Sequence, residues 1–395
     1  MKNCDFLIVG GGILGISIGI ELLRREPKAN IVIAEKESFS GAHASGRNSG
    51  VLHAGFYYSA DSLKARFCAD GNTALREVIK KNNIPINECG KVVVARSEHE
   101  LAELENLHSK GLKNGVTQEI FPSDRLSEFE PFAKTHKFFL WSPNTAVSDP
   151  ELVLAALEEE FHQRGGRLLL NSVFEVRDGE CFLNSEKFSA SSVINAAGTG
   201  AIAIAHALGS GENYSQLPVL GLYKITANKK MPLKTLVYPV PNPEYPFLGV
   251  HFTLTVSGDI KIGPTAIPVL GSEQYRWFEG ISGNQLQQSI RSISSLIKAD
   301  PALLFNLARE EFPKFSTKTL LRDAEQLVPG ISQVGGWNYK RPGIRAQLIN
   351  TKSGKFHMDF VVEKEGKFTH ILNAVSPGWT ASIPFAKYVV SEYLS

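Results

Sequence analysis

Hydrophobic positions along the chain change period several times, and the changes divide it into elements. Phe6-Leu7-Ile8-Val9 is a short continuous apolar run, as expected of a strand buried on both faces in a parallel sheet. Apolar residues then recur at Ile13, Ile16, Ile20 and Leu23, which is helical spacing, up to Arg24-Arg25. A second apolar run, Ile31-Val32-Ile33-Ala34, follows and ends in Glu35. Later, Asp149 reads as an N-cap, Pro150 as the first helical position, and Leu152, Ala156 and Leu157 as one helix face. Gly165-Gly166 ends that helix, Arg167 to Leu170 begins a strand, and Val193-Ile194-Asn195 is another strand running into Ala196-Ala197-Gly198. These alternating elements return the chain to the sheet it began, so the first domain is discontinuous.

Between about 75 and 145, and again from about 215 to 325, the pattern differs. Ser97-x-x-Glu100 reads as a capping box before a helix carrying Leu101, Leu104 and Leu107. Leu220 to Ala227, Lys234 to Val240, Phe247 to Thr255 and Asp259 to Gly263 read as strands, separated by the turn signals Asn228-Lys229 and Ser257-Gly258. The expected architecture is α/β (α+β): a Rossmann-type domain of residues 1–75, 145–215 and 325–395, with an antiparallel-sheet substrate domain of 76–144 and 216–324 inserted. In the run 247–255 a period of 2 puts Leu248, Val250, Phe252 and Leu254 on one face and Phe247, Gly249, His251 and Thr253 on the other. The second set suits either the wall of a polar pocket or a solvent face.

Composition removes several classes. Lys and Arg number 42 against 40 Asp and Glu, a formal charge of +2, which gives no case for nucleic acid and at most peripheral membrane contact. Cys4, Cys68, Cys89 and Cys181 form no C-x-x-C pair, and the histidines show no metal-ligand spacing, so neither a disulfide framework nor a metal site is expected. Phe6 to Ile20 is uncharged and superficially resembles a signal peptide. Its glycines and short length read instead as a strand and helix, and a cytoplasmic location is the expectation.

Gly10-Gly11-Gly12-Ile13-Leu14-Gly15 is a G-x-G-x-x-G placed between strand and helix, and Glu35 lies where such a unit carries its ribose-binding acid. Gly10 allows the tight turn, Gly12 lets backbone N–H groups approach a pyrophosphate, and Gly15 lets helix and strand pack closely. FAD and NAD remain open on this motif alone. The small-residue loop Ser45-Gly46-Arg47-Asn48-Ser49-Gly50-Val51 and the later return of the chain to the same sheet fit a tightly held FAD better than an exchangeable NAD.

The chain resembles the FAD-dependent D-amino-acid oxidase superfamily, and within it the L-2-hydroxyglutarate dehydrogenase/oxidase family. The matching segments are Asn48 to Tyr58, Ser62-Leu63-Lys64-Ala65, Cys89-Gly90-Lys91 and Pro239-Val240-Pro241. They continue through Tyr245-Pro246-Phe247-Leu248-Gly249-Val250-His251-Phe252-Thr253 and Gly343-Ile344-Arg345-Ala346-Gln347. The likeness runs from residue 5 to about 385. Arg47 stands where the family usually has His, and Arg341-Pro342-Gly343 replaces a more usual Gly-Pro-Ala/Ser-Gly.

The resemblance implies cofactor contacts at Gly10, Gly12, Ile13, Leu14, Gly15, Glu35, Lys36, Ser45, Asn48, Ser49, Gly50, Val51, Val173, Ala197, Gly198, Arg345, Pro377, Gly378, Trp379 and Thr380. Ser376 to Thr380 would place helix N-terminal amides beside the flavin. It implies oxidation of a 2-hydroxy acid, with electrons passed to quinone, another acceptor or oxygen. Arg345 is expected to clamp the carboxylate, since a planar guanidinium binds it bidentately. His251 is expected as the base, with His53 its competitor beside the flavin and Tyr57 and Tyr58 orienting substrate oxygens. Arg47, Lys340 and Arg341 are unranked candidates for a distal carboxylate. The rivals are an amino-acid or secondary-amine oxidase and a non-catalytic flavin-binding protein; an RNA-modifying flavoprotein has balanced charge against it.

Overall fold

The computed structural model describes residues 2–243, 247–276, 281 and 283–394. Two large sheets organise them. In the first, Lys2–Val9 lies parallel between Ile31–Ala34 and Glu186–Asn195, with Arg167–Leu169 at one edge and Phe368–Ile371 parallel to Glu186–Asn195 on the other side. The first helix, Ile13–Arg25, is buried on nearly every side through Leu23. It is sandwiched rather than half-exposed, with Pro150–Gln163 and Ser382–Tyr393 as its helical neighbours. Its apolar positions therefore run beyond one stripe.

Asp149 caps the helix Pro150–Gln163, its carboxylate accepting from the N–H groups of Glu151 and Leu152. The buried stripe is Val153, Leu154, Leu157 and Phe161, while Leu152 is 47% exposed. Of the expected face Leu157 is buried, Ala156 half-buried and Leu152 turned outward, so the stripe is rotated toward Val153 and Leu154. Phe161 sets that phase by packing over Gly19 of the first helix.

The second sheet is mainly antiparallel and mixed with one parallel pair. Tyr214–Thr226, Ile260–Gly263, His251–Leu254, Leu236–Pro239, Lys91–Val94, Phe138–Ser142 and Glu119–Pro122 follow one another across it. The domain boundary expected at 325 is corrected. Asn338–Asn350 pairs antiparallel with Tyr214–Thr226 in this second sheet, and Leu327, Val328, Ile331 and Val334 lie in its core. Ile344 and Leu348, both buried, have their strand partners in Leu220 and Gln216 there, not in the first sheet.

The capping box is also corrected. Ser97 makes no side-chain cap; a 3₁₀ turn at Glu98–Glu100 precedes the helix Leu101–Lys113, and the Glu100 carboxylate turns back to the Arg96 N–H and guanidinium. A small third sheet, Val51–Leu52 with Ala146–Ser148 and Ile86–Asn87, joins the two large ones. Of the family-like segments, Tyr245-Pro246 lies outside the described residues. Among the described residues no helix is long and apolar enough to cross a membrane.

Candidate active site

The turn after the first strand is built for close approach. Gly10 has φ +110°, and a Cβ there would lie 2.6 Å from the Ala196 carbonyl oxygen. A Cβ on Gly15 would lie 2.1 Å from the Gly10 carbonyl oxygen, so helix and turn touch through bare backbone. Gly12 caps the helix without a side chain, and no acid stands in the first turn. Ser45 Oγ accepts from the Ile13 N–H at 3.0 Å, which puts the loop at the positive end of the helix. The side chains of Ile13 and Leu14 point into the core, so only their backbones face the turn.

Glu35 is buried at the end of the second strand, accepting from the Gly11 N–H at 2.8 Å and the Glu37 N–H at 3.0 Å. A glycine cradle with no room for a Cβ, an acid-free helix N-terminus and this carboxylate together fit a dinucleotide. Other expected contacts are placed less directly. Val173 runs beside Glu35–Glu37 through its neighbours, but its N–H and carbonyl are both bonded to Asn184, leaving a 45% exposed side chain to carry any contact. Lys36 points outward to Glu273 at 2.9 Å and to Glu37.

The loop that follows is held by its own amide side chain. Asn48 Nδ2 donates to the Ser45 carbonyl at 2.7 Å, and Oδ1 accepts from the Gly50 N–H at 2.8 Å. Val51 and His53 are fastened from the far end of the chain: Thr380 Oγ1 accepts from the His53 N–H at 3.2 Å and donates to the Val51 carbonyl at 3.1 Å. Ser376 to Thr380 is a turn, not the first turn of a helix; the helix begins at Ser382. Gly378 and Ala381 spend their N–H groups on the carbonyls of Val375 and Pro377. The expectation of free helix amides there is corrected. Thr380 is the residue of this turn that ties it to the loop, through its hydroxyl. Ala197 and Gly198 follow Ala196 at the tip of the adjacent strand.

One face of the second sheet looks at this loop, and strand register identifies it. Val237 opposes Phe252 on the core side. The other face therefore carries Tyr238, His251 and Thr253, with Lys261 opposite Thr253 and Lys91 opposite Leu236. Lys261 Nζ donates to the Ser49 carbonyl at 2.6 Å, which fixes the sheet face against the loop. The period-2 reading of the sequence thus gave His251 and Thr253 the right face, but both faces are buried and the solvent alternative is ruled out.

His251 stacks on Tyr238 with ring centroids 3.9 Å apart, and its Nδ1 lies 2.8 Å from the Gly249 carbonyl. A carbonyl only accepts, so Nδ1 carries the hydrogen and Nε2 keeps its lone pair. Burial lowers its pKa to about 3, and Arg345, Lys91 and Lys261 push the same way. His53 is lowered to about 3 by burial, Lys91 and His251, and its Nδ1 has no hydrogen-bond partner among the described residues. Both rings are neutral near pH 7. The Tyr57 hydroxyl is buried without a partner and burial holds it well above the ordinary phenol range, whereas Tyr58 bonds to Ser376.

Arg345 bonds to Tyr223 and lies 3.5 Å from the Thr265 carbonyl; no carboxylate pairs with it among the described residues. The three candidates for a second cation are otherwise engaged or turned outward. Arg47 donates to the carbonyls of Ala42 and Pro342 and stacks over Tyr275, Arg341 is exposed beside Glu151, and Lys340 is exposed. Reading the sequence missed Lys91, Tyr238 and Lys261. Lys261 carried a signal, a cation inside the apolar run Ile260-Lys261-Ile262, whereas Lys91 stands at the head of Val92-Val93-Val94, where an exposed strand end reads the same.

A glycine-cradled dinucleotide turn under a cation-rich sheet face defines a flavoprotein oxidoreductase, and the comparisons agree. The FAD dependent oxidoreductase model matches residues 5–392, and the chain belongs to that family. It is 34% identical to the mitochondrial L-2-hydroxyglutarate dehydrogenase of Caenorhabditis briggsae, over all of this chain and 94% of that one. It is 31% identical to the L-2-hydroxyglutarate dehydrogenase of Escherichia coli K12, over 98% of this chain and 92% of that one. Among solved structures, a dithionite-reduced L-α-glycerophosphate oxidase from Mycoplasma pneumoniae with FAD bound superposes with a TM-score of 0.77 at 21% identity. That match covers 99% of this chain and 94% of the oxidase. The cofactor is FAD.

Proposed function

We propose that the protein oxidises L-2-hydroxyglutarate to 2-oxoglutarate. The observation that carries this is a neutral histidine with a pinned tautomer, His251, near Arg345, which has no carboxylate partner among the described residues. Two relatives named for that reaction, alike over nearly the whole chain, support the choice of acid. FAD, when bound, supplies the acceptor for the hydride that leaves C2.

The chain's own residues do the rest. Arg345 holds the carboxylate next to the reacting carbon, and the Tyr57 hydroxyl donates to a substrate oxygen. His251 Nε2 takes the hydroxyl proton as the C–H bond breaks; its Nδ1–H, held by the Gly249 carbonyl, keeps that lone pair aimed. His53 is the alternative base on the loop side. Gly10, Gly12, Gly15, Glu35, Ser45, Asn48 and Thr380 hold the cofactor or shape its bed. Electrons leave to a quinone, another acceptor or oxygen.

The test is anaerobic mixing of the FAD-loaded protein with L-2-hydroxyglutarate, D-2-hydroxyglutarate, L-lactate or L-glutamate, followed at the flavin band. Bleaching by the first alone is expected. Bleaching by L-glutamate would move the protein to amine oxidation, and bleaching by none of the four would overturn the substrate assignment.

A further inference from the structure

Lys91 is unexplained by the chemistry above. Its side chain is completely shielded from solvent, and Nζ has no hydrogen-bond partner among the described residues. The rings of Phe56, Tyr57 and Tyr238 surround it, with centroids 4.6, 4.7 and 4.6 Å from Nζ. The nearby groups that favour its charged form are the thiols of Cys68 and Cys89, and neither is a carboxylate. Ring faces attract an ammonium, but an unpaired buried charge remains costly, and a methionine would fill such a cage without that cost. A cation kept there implies an anion that arrives.

The surroundings say which anion. Lys91 lies near enough to His53 and His251 to depress both, so it belongs to the substrate side of the sheet. The Tyr57 ring lies against it, and the hydroxyl of that ring is also buried, with no hydrogen-bond partner among the described residues. An ammonium and a phenol offer donors and, between them, scant acceptor capacity, which suits a carboxylate. Lys91 Nζ and the Tyr57 hydroxyl are both closed to water, so an uncharged chain end packed against them would leave the ammonium unpaired. Arg345 already serves one carboxylate, and Lys261 is spent on the Ser49 carbonyl.

We propose that Lys91, with the Tyr57 hydroxyl, holds the distal carboxylate of a dicarboxylic 2-hydroxy acid whose first carboxylate lies on Arg345. This rests on the 2-hydroxy-acid reading above and assigns the residues that select for the second acid group.

The experiment compares FAD-loaded wild type, Lys91→Met and Tyr57→Phe in anaerobic flavin reduction by L-2-hydroxyglutarate and by L-2-hydroxypentanoate, which carries a methyl in place of the distal carboxylate. Wild type is expected to prefer the diacid. Lys91→Met is expected to lower that preference about 100-fold and Tyr57→Phe about 10-fold, as lost charged and neutral hydrogen bonds would. Full preference retained in Lys91→Met, or no preference in wild type, overturns the proposal alone. Should Lys91→Met fail to load FAD, the Tyr57→Phe result decides, and full preference there overturns it. A wild type reduced by neither acid overturns the 2-hydroxy-acid reading and this proposal with it.

Discussion

At the scale of single residues, burial keeps two histidines of the candidate site neutral. Both His251 and His53 are lowered to about 3, so neither gains a proton on the way from pH 8 to pH 5. The kcat/KM profile for hydroxy-acid oxidation is therefore expected to show no histidine limb near pH 6.5, and a limb there would remove the neutral-base assignment. His251→Ala is expected to keep its flavin and to slow anaerobic flavin reduction by about 10²–10⁴-fold. Several of the candidate residues could be picked out in the chain: Glu35 by its distance from the glycines, His251 by strand period, Arg345 by its segment. Lys91 could not, because burial, not residue order, makes it unusual, and a lysine heading V-V-V reads equally as an exposed strand end.

At the scale of elements, the turn between the first strand and helix has the least tolerance. Gly15→Val would drive a branched side chain into the Gly10 carbonyl, so the purified variant is expected to hold far less FAD than wild type by absorbance. Ser45→Ala removes only the acceptor for the Ile13 N–H and should weaken FAD binding by about 10-fold in a titration. Element types were legible wherever periodicity was strong, and failures have physical causes. The helix after Asp149 was found by its cap yet phased wrongly, since Phe161 over Gly19 decides the rotation. Ser97 and Glu100 had capping-box spacing, but a 3₁₀ turn redirected the glutamate to Arg96. The strand at 338–350 was not seen, because its register depends on Tyr214–Thr226, more than a hundred residues earlier.

At the scale of the whole molecule, buried cations shape stability. Lys91 and Lys261, with pKa values lowered from 10.5 to about 7, hold protons less firmly folded than unfolded. Their burden is absent above 10.5 and grows as pH falls toward 7, so stability should rise with pH through that window. Between pH 7 and 8.5, below the range where buried thiols and phenols begin to act oppositely, each lysine contributes roughly 1 kcal/mol per pH unit. Melting of the FAD-loaded protein is expected to shift up by about 4 °C over that interval, and Lys91→Met to show a shallower rise. A slope of opposite sign would mean that these lysines are not buried as described.

The clamp of Thr380 on Val51 and His53 has a consequence for biogenesis. Residues 51–53 emerge from the ribosome more than three hundred positions before the hydroxyl that fastens them. The nucleotide turn can form early, while the loop at 51–53 stays unfastened until Thr380 has been translated. A nascent chain stalled before Pro377 should therefore acquire neither the yellow colour nor protease resistance, however long it waits with free flavin.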